Sequence, residues 1–179
     1  MGHARTLWTV GHSTRDIEDF IALLSAHQIE VLADVRSLPG SRKYPQFNKE
    51  DLEISLKEND IAYVHLPGLG GRRKPVKDSK NTVWHNLSFR SYADYMETPA
   101  FAQSAVELMQ LASAKRTCIM CSEAVWWRCH RSMIADYFKS KGWKVLHILS
   151  LTKVEEHPYT RAAKIIDGKL AYGGENELF

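Results

Sequence analysis

The sequence predicts an α/β domain, built on a mainly parallel sheet of about five strands with helices on both faces. Three observations lead there. Short apolar runs alternate along the chain with segments whose apolar residues recur at helical spacing. Caps and prolines mark the starts of the helical segments. The 179 residues, 44% hydrophobic and 25% charged, suffice for one globular core. The expected unit is a single domain over 1–179, with 150–179 as a C-terminal extension.

The first strand is expected over 7–10, ending at Gly11-His12-Ser13. Ser13 and Asp16 form a capping-box-like pair ahead of Ile17, Phe20, Ile21 and Leu24, which repeat at helical spacing. Residues 31–35 read as a short buried strand that ends at Arg36. Pro39, Gly40 and Pro45 make 37–47 a loop, and Asn48 then opens a helix with acidic residues in its first turn. A third strand is expected over 61–66. Residues 67–87 follow as the longest insertion, because Pro67-Gly68-Leu69-Gly70-Gly71 breaks regular structure.

Residues 88–96 place Phe89, Tyr92, Ala93 and Met96 on one side of a short helix. Thr98-Pro99, an N-cap before an N1 proline, starts a longer helix that runs to about Ala114. The fourth strand is Thr117–Cys121, and a helix over 129–141 is closed by Gly142. The fifth strand is expected over 144–149. A small hairpin is expected over 165–172, around Asp167-Gly168.

Composition narrows the classes of function. No apolar run approaches the roughly 20 residues that span a bilayer, so no membrane partner is expected. The N-terminal stretch lacks the long apolar region and cleavage site of a secretory signal. The three cysteines lie within twelve residues of one another rather than spread as a disulfide framework, which fits a reducing, cytoplasmic setting. A formal charge of +3 permits an anionic partner and leaves local clustering to decide.

In open parallel sheets, ligands bind outside the carboxyl ends of the strands. His12 and Ser13 follow the first strand, Asp34 and Arg36 close the second, and His65 ends the third. Cys121 and Glu123 follow the fourth, and Cys129-His130-Arg131 opens the next helix. Ionisable groups from separate regions thus converge on one edge. Each has a plainer reading as well: His12 as a helix cap, Asp34 and Arg36 as a structural ion pair, His65 and His147 as core histidines.

The run from Cys118 to Arg131 is the richest in chemistry. A thiol at Cys121, between a strand and a helix N-terminus, would be activated by free amides and the helix dipole. Arg128 and Arg131, with Arg36, supply guanidinium forks for phosphate or another oxyanion. Glu123 is the alternative base or nucleophile, and His12 or His130 would transfer the proton. A zinc site from Cys121, Cys129 and His130 is a further alternative. No nucleotide-binding glycine fingerprint is present, and no cofactor is expected.

Several motifs, taken as a set, point to one family. They are Gly11-His12-Ser13, Asp34-Val35-Arg36, Pro39 with Ser41-Arg42, and Pro45-Gln46-Phe47-Asn48. Leu69-Gly70-Gly71, Phe89 with Tyr92 and Tyr95-Met96, Met120-Cys121-Ser122-Glu123, and Cys129-His130-Arg131 complete them. In these the chain resembles the bacterial and archaeal family catalogued as domain of unknown function 488, over about 8–149. The resemblance implies a compact cytoplasmic α/β domain with those motifs lining one site, and it implies no reaction. Trp126-Trp127-Arg128 departs from the more polar loop expected before Cys-His-Arg. A looser likeness joins the Cys-loop-Arg arrangement to rhodanese-like sulfurtransferases and protein tyrosine phosphatases. Residues 121–131 contain no glycine, however, unlike the tight anion cradle of those enzymes.

Basic residues cluster in two insertions beside the site. Arg42, Lys43 and Lys49 flank Tyr44 and Phe47, and Arg72, Arg73, Lys74, Lys77 and Lys80 face the single acid Asp78. Aromatics among Lys and Arg suit single-stranded nucleic acid, and Trp84, Trp126 and Trp127 would extend the stacking surface. The expected function is an enzyme acting on a nucleotide, nucleic-acid or other anionic substrate, with Cys121 or Glu123 as nucleophile or base. The alternatives are a non-catalytic nucleic-acid-binding module and a cysteine enzyme transferring sulfur or phosphoryl groups.

Overall fold

The computed structural model describes residues 5–173. A six-stranded sheet forms its centre: β1 (Thr6–Gly11), β2 (Val31–Asp34), β3 (Ala62–His65), β4 (Thr117–Cys121), β5 (Lys144–Ile148) and β6 (Val154–Glu156). The strand order is β3-β2-β4-β1-β5-β6. All neighbours pair in parallel except β6, which runs antiparallel to β5. The parallel strands are near-continuous apolar runs because helices cover both faces. β6 escaped the sequence reading because Val-Glu-Glu carries no apolar alternation and lies on a solvated edge.

Strand side chains alternate between the faces. Val10, Leu32 and Met120 pack with Phe20, Ile21 and Leu24 of α1 (Ile17–Ala26) and with Leu52 and Leu56 of α2 (Lys49–Lys57). Ala33, Ile119 and Val145 face the other way. There they meet Tyr92 of α3 (Leu87–Met96), Phe101, Ala105 and Leu108 of α4 (Pro99–Ala114), and Met133, Ile134 and Phe138 of α5 (Arg131–Ser140). Period-two strands against period-3.6 helices thus build two cores on one sheet.

Local chemistry moves some boundaries. Asp16, not Ser13, caps α1, its carboxylate accepting from the Asp19 amide at 2.8 Å. Ser13 instead sits at positive φ in the turn between β1 and the helix. Asn48 precedes α2, but its side chain accepts from the Ser41 amide at 2.6 Å and so ties down the preceding loop. Thr98 caps α4 and Pro99 opens it, as the sequence predicts. A hairpin of β7 (Lys164–Ile166) and β8 (Lys169–Ala171) turns through Asp167 and Gly168, both at positive φ, and forms a separate two-stranded sheet.

Candidate active site

β1 and β4 are neighbours, and the chain leaves their carboxyl ends in opposite directions. From β1 it crosses one face through α1 to reach β2; from β4 it crosses the other through α5 to reach β5. Such a switch point opens a crevice. Here it holds a cleft of about 760 Å³, a size that suits a small-molecule ligand. Its mouth is sewn together by backbone bonds: the His12 amide donates to Cys121 O and the Ser13 amide to Ser122 O, both at 3.0 Å. Gly11 makes this closeness possible, since a Cβ there would lie 1.6 Å from the Glu123 carbonyl oxygen.

Two thiols lie at the base of the cleft. Cys121 ends β4, Cys129 precedes α5, and their sulfurs are 2.6 Å apart. His130 donates from Nε2 to the Val35 carbonyl at 2.8 Å. A carbonyl only accepts, so the neutral ring carries its proton on Nε2 and turns the bare Nδ1 to Cys129 Sγ, 3.3 Å away. Burial holds the His130 pKa below its ordinary value, which keeps that lone pair free at neutral pH. Because α5 begins only at Arg131, the adjacent Cys129 and His130 are not splayed by helical geometry and can touch.

The two thiols differ in character. Burial and then the neighbouring Cys129 push the Cys121 pKa well above the usual thiol value. Burial works against the Cys129 thiolate too. It is outweighed there by the Cys121 hydrogen bond and the Arg131 charge and amide, so the Cys129 pKa falls below its usual value. The preferred thiolate is therefore Cys129, where the sequence pointed to Cys121.

Arg131 does not reach the cleft. It is 1% exposed and turns inward. Nε donates to Cys121 Sγ at 3.0 Å, Nη2 to the Glu123 carbonyl at 2.8 Å and Nη1 to Thr9 Oγ1 at 3.2 Å. The expected anion clamp is thus a buried brace between the thiols and β1. Beyond Thr9 the polar chain continues through His147 to His157 Nδ1 at 2.9 Å, then to Asp136 Oδ1 at 2.8 Å. The chain thus runs from the Arg131 guanidinium, which donates at one end, to the Asp136 carboxylate, which accepts at the other. Asp136 also accepts from Thr160 and Tyr172, each at 2.6 Å.

On the β2 side, Arg36 forks onto Asp34 at 2.9 and 2.7 Å, and Nη2 also donates to the Phe47 carbonyl. Asp34 is fully buried and accepts a further bond from Tyr63 at 2.6 Å. The carboxylate orients Arg36 and does not itself line the cleft, whereas Arg36 does. His12 also lines it, stacked on Phe47 with ring centroids 4.2 Å apart. Nδ1 bonds the Ser13 carbonyl at 2.8 Å, leaving Nε2 as a bare base. Burial lowers its pKa to about 4.

Ser13, Glu123, Arg72 and Arg128 line the cleft, the last three with exposed side chains. Arg42 and Arg73 do not. Arg42 is exposed outside the cleft, while Arg73 stacks on Tyr95 at 3.6 Å and donates to the carbonyls of Gly70 and Pro67. Among the described residues no His, Cys, Asp or Glu group is arranged to hold a metal ion, the trio Cys121, Cys129 and His130 included. Two sulfurs bound to one tetrahedral ion at roughly 2.3 Å each would stand farther apart than these. The expected aromatic platform is not displayed either. Phe47 is 0% and Trp126 8% exposed, because Phe47 packs beneath His12 and Trp126 stacks on His147; Tyr44 and Trp84 are half-buried, with Tyr44 on the cleft wall, and Trp127, at 54%, is open.

Thr9, Asn86 and Ser88 went unread in the sequence, whereas Phe89 and Tyr92 stand among the motifs that the resemblance places at one site. Tyr92 sets its ring edge against His130, and Thr9 receives the Arg131 brace. The N-terminus of α3 brings Asn86, Ser88 and Phe89 to the cleft wall. Asn86, which caps that helix through the Ser88 and Phe89 amides, was a legible signal for the last.

The family model described as Domain of unknown function DUF488 matches residues 16–138, well over half of the chain. The chain belongs to this family. No curated protein and no solved structure matches it. The DUF488 span takes in Asp34, Arg36, both site cysteines, His130 and Arg131, and it begins after His12 and Ser13. No helix among the described residues is long and apolar enough to cross a membrane.

Proposed function

We propose that this DUF488 protein is a thiol-dependent enzyme that takes an anionic, nucleotide-sized substrate into the cleft at the carboxyl edge of the sheet. One observation carries the reading: a thiol paired with a bare imidazole nitrogen opens onto a cleft whose charged lining is Arg36, Arg72 and Arg128 against Glu123 alone. Cys129 is the nucleophile and His130 Nδ1 takes its proton. Arg36, held in its fork by Asp34, turns its unbonded Nη1 edge to an anionic oxygen, and the exposed Arg72 and Arg128 close over the charge. His12 Nε2 and Glu123 remain for proton transfer at the substrate.

Nucleic acid is the larger form of the same substrate class. Exposed Arg72, Lys74, Lys77 and Lys80 extend the positive lining beyond the cleft. The test is protection of Cys129 from alkylation by nucleoside phosphates, inorganic phosphate or a short single strand. A binding anion is expected to slow labelling of Cys129. Arg72→Ala with Arg128→Ala should weaken that protection about tenfold, or roughly 1.4 kcal/mol. Failure of every anion to protect Cys129 would remove the reading. Protection only by the single strand, unchanged in Cys129→Ser binding assays and without turnover, would favour a binding module.

A further inference from the structure

We propose that Cys121 and Cys129 form a reversible dithiol–disulfide couple that exchanges with small-molecule disulfides entering the cleft. The geometry has four parts. The sulfurs are 2.6 Å apart, so a bond of roughly 2.05 Å needs little movement. Both cysteines line the cleft, which gives a small oxidant access. Each sits at the end of a rigid element, Cys121 on β4 and Cys129 ahead of α5, so the pair is held facing. The third thiol, Cys118, is fully buried in the core on the opposite face of the sheet and cannot compete.

Exchange needs one ready thiolate and one resolving thiol, and the surroundings divide the two tasks. Cys129 faces His130 Nδ1 at 3.3 Å and the Arg131 amide at 3.5 Å. Cys121 keeps its proton until Arg131 Nε, 3.0 Å away, stabilises the departing charge. In the first step the Cys129 thiolate attacks one sulfur of RSSR. The Cys129–S bond forms, the RS–SR bond breaks, and the leaving RS⁻ takes from His130 the proton that came from Cys129, departing as RSH. In the second, Cys121 attacks the Cys129 sulfur and expels the other RS⁻, which takes the Cys121 proton. The protein loses two electrons and two protons, and RSSR becomes two RSH.

This rests on the reading above only in taking Cys129 as the reactive thiol. The test therefore uses a neutral oxidant, bis(2-hydroxyethyl) disulfide, so that anion recognition plays no part. The reduced full-length protein is equilibrated over a series of disulfide-to-thiol ratios, quenched in acid, denatured, alkylated and mapped by mass spectrometry. Cys121 and Cys129 are expected to lose alkylation in step, yielding a cross-linked peptide, while Cys118 alkylates throughout. In Cys121→Ser the mixed disulfide should accumulate on Cys129. The couple is disproved if wild-type Cys129 stops at the mixed disulfide, if neither cysteine reacts, or if Cys118 appears in the cross-link. A cross-link with no anion protection of Cys129 would retain the couple and discard the anionic substrate.

Discussion

At the residue scale the site turns on Arg131, a cation removed from water without a carboxylate beside it. Its charge is met by Cys121 Sγ, Thr9 Oγ1 and the Glu123 carbonyl, three acceptors from two segments, the end of β4 and β1. A buried cation costs several kcal/mol unless its donors are matched, and the planar fork matches these. Lysine keeps the charge but cannot span the three. Arg131→Lys is expected to lower unfolding free energy by about 2–4 kcal/mol in urea denaturation, and to slow Cys129 alkylation at neutral pH. Unchanged alkylation kinetics would mean that Arg131 braces the fold without activating the thiol. Its burial was not legible in the sequence. An arginine after Cys-His reads equally as clamp or brace, and only the packing of β1 beneath α5 separates the two.

At the element scale, the insertion after β3 reaches back over the site. Gly71 lies against the His130 ring, where a Cβ would come within 2.7 Å of Nδ1. Gly71→Ala therefore has to shift the imidazole or the insertion. The expected outcome is at least a severalfold loss of Cys129 reactivity with a small change in melting temperature, because Gly71 itself belongs to neither core cluster. A large drop in melting temperature would instead make this contact part of the fold's support. The elements themselves were largely readable. The strands β1 to β5 and the starts of α2 to α5 were expected within a residue or two, since their apolar periods and caps agree locally, while α1 begins later than a Ser13 cap would place it. β6 was not, because a short polar edge strand is defined by its partner β5 alone.

At the scale of the whole molecule, buried neutral histidines set the acid stability. Burial lowers His12 from the ordinary 6.5 to about 4 and His147 to about 2. Their folded pKa values lie below the unfolded ones, so the unfolded chain binds protons first as pH falls. Their contribution is fully present above pH 6.5 and is lost progressively below it, down through about 4 for His12. Urea midpoints are expected to decline across that window by roughly 1–3 kcal/mol in all, and His147→Gln should flatten the slope. A flat profile would show that these histidines take up protons in the fold as readily as in the unfolded chain.

Local order in the sequence determined the α/β class, the order of strands and helices, the hairpin at Asp167-Gly168 and the edge at which the polar residues gather. Each follows from apolar period, caps and turn residues that act over a few positions. The tertiary structure alone decided which thiol faces the His130 imidazole, which arginines face the cleft and which brace its floor. Those assignments depend on contacts between residues far apart in the chain: His130 with Val35, Arg131 with Thr9, Cys121 with Cys129. Burial and hydrogen bonding set the charge of a side chain, and both are properties of the packed molecule.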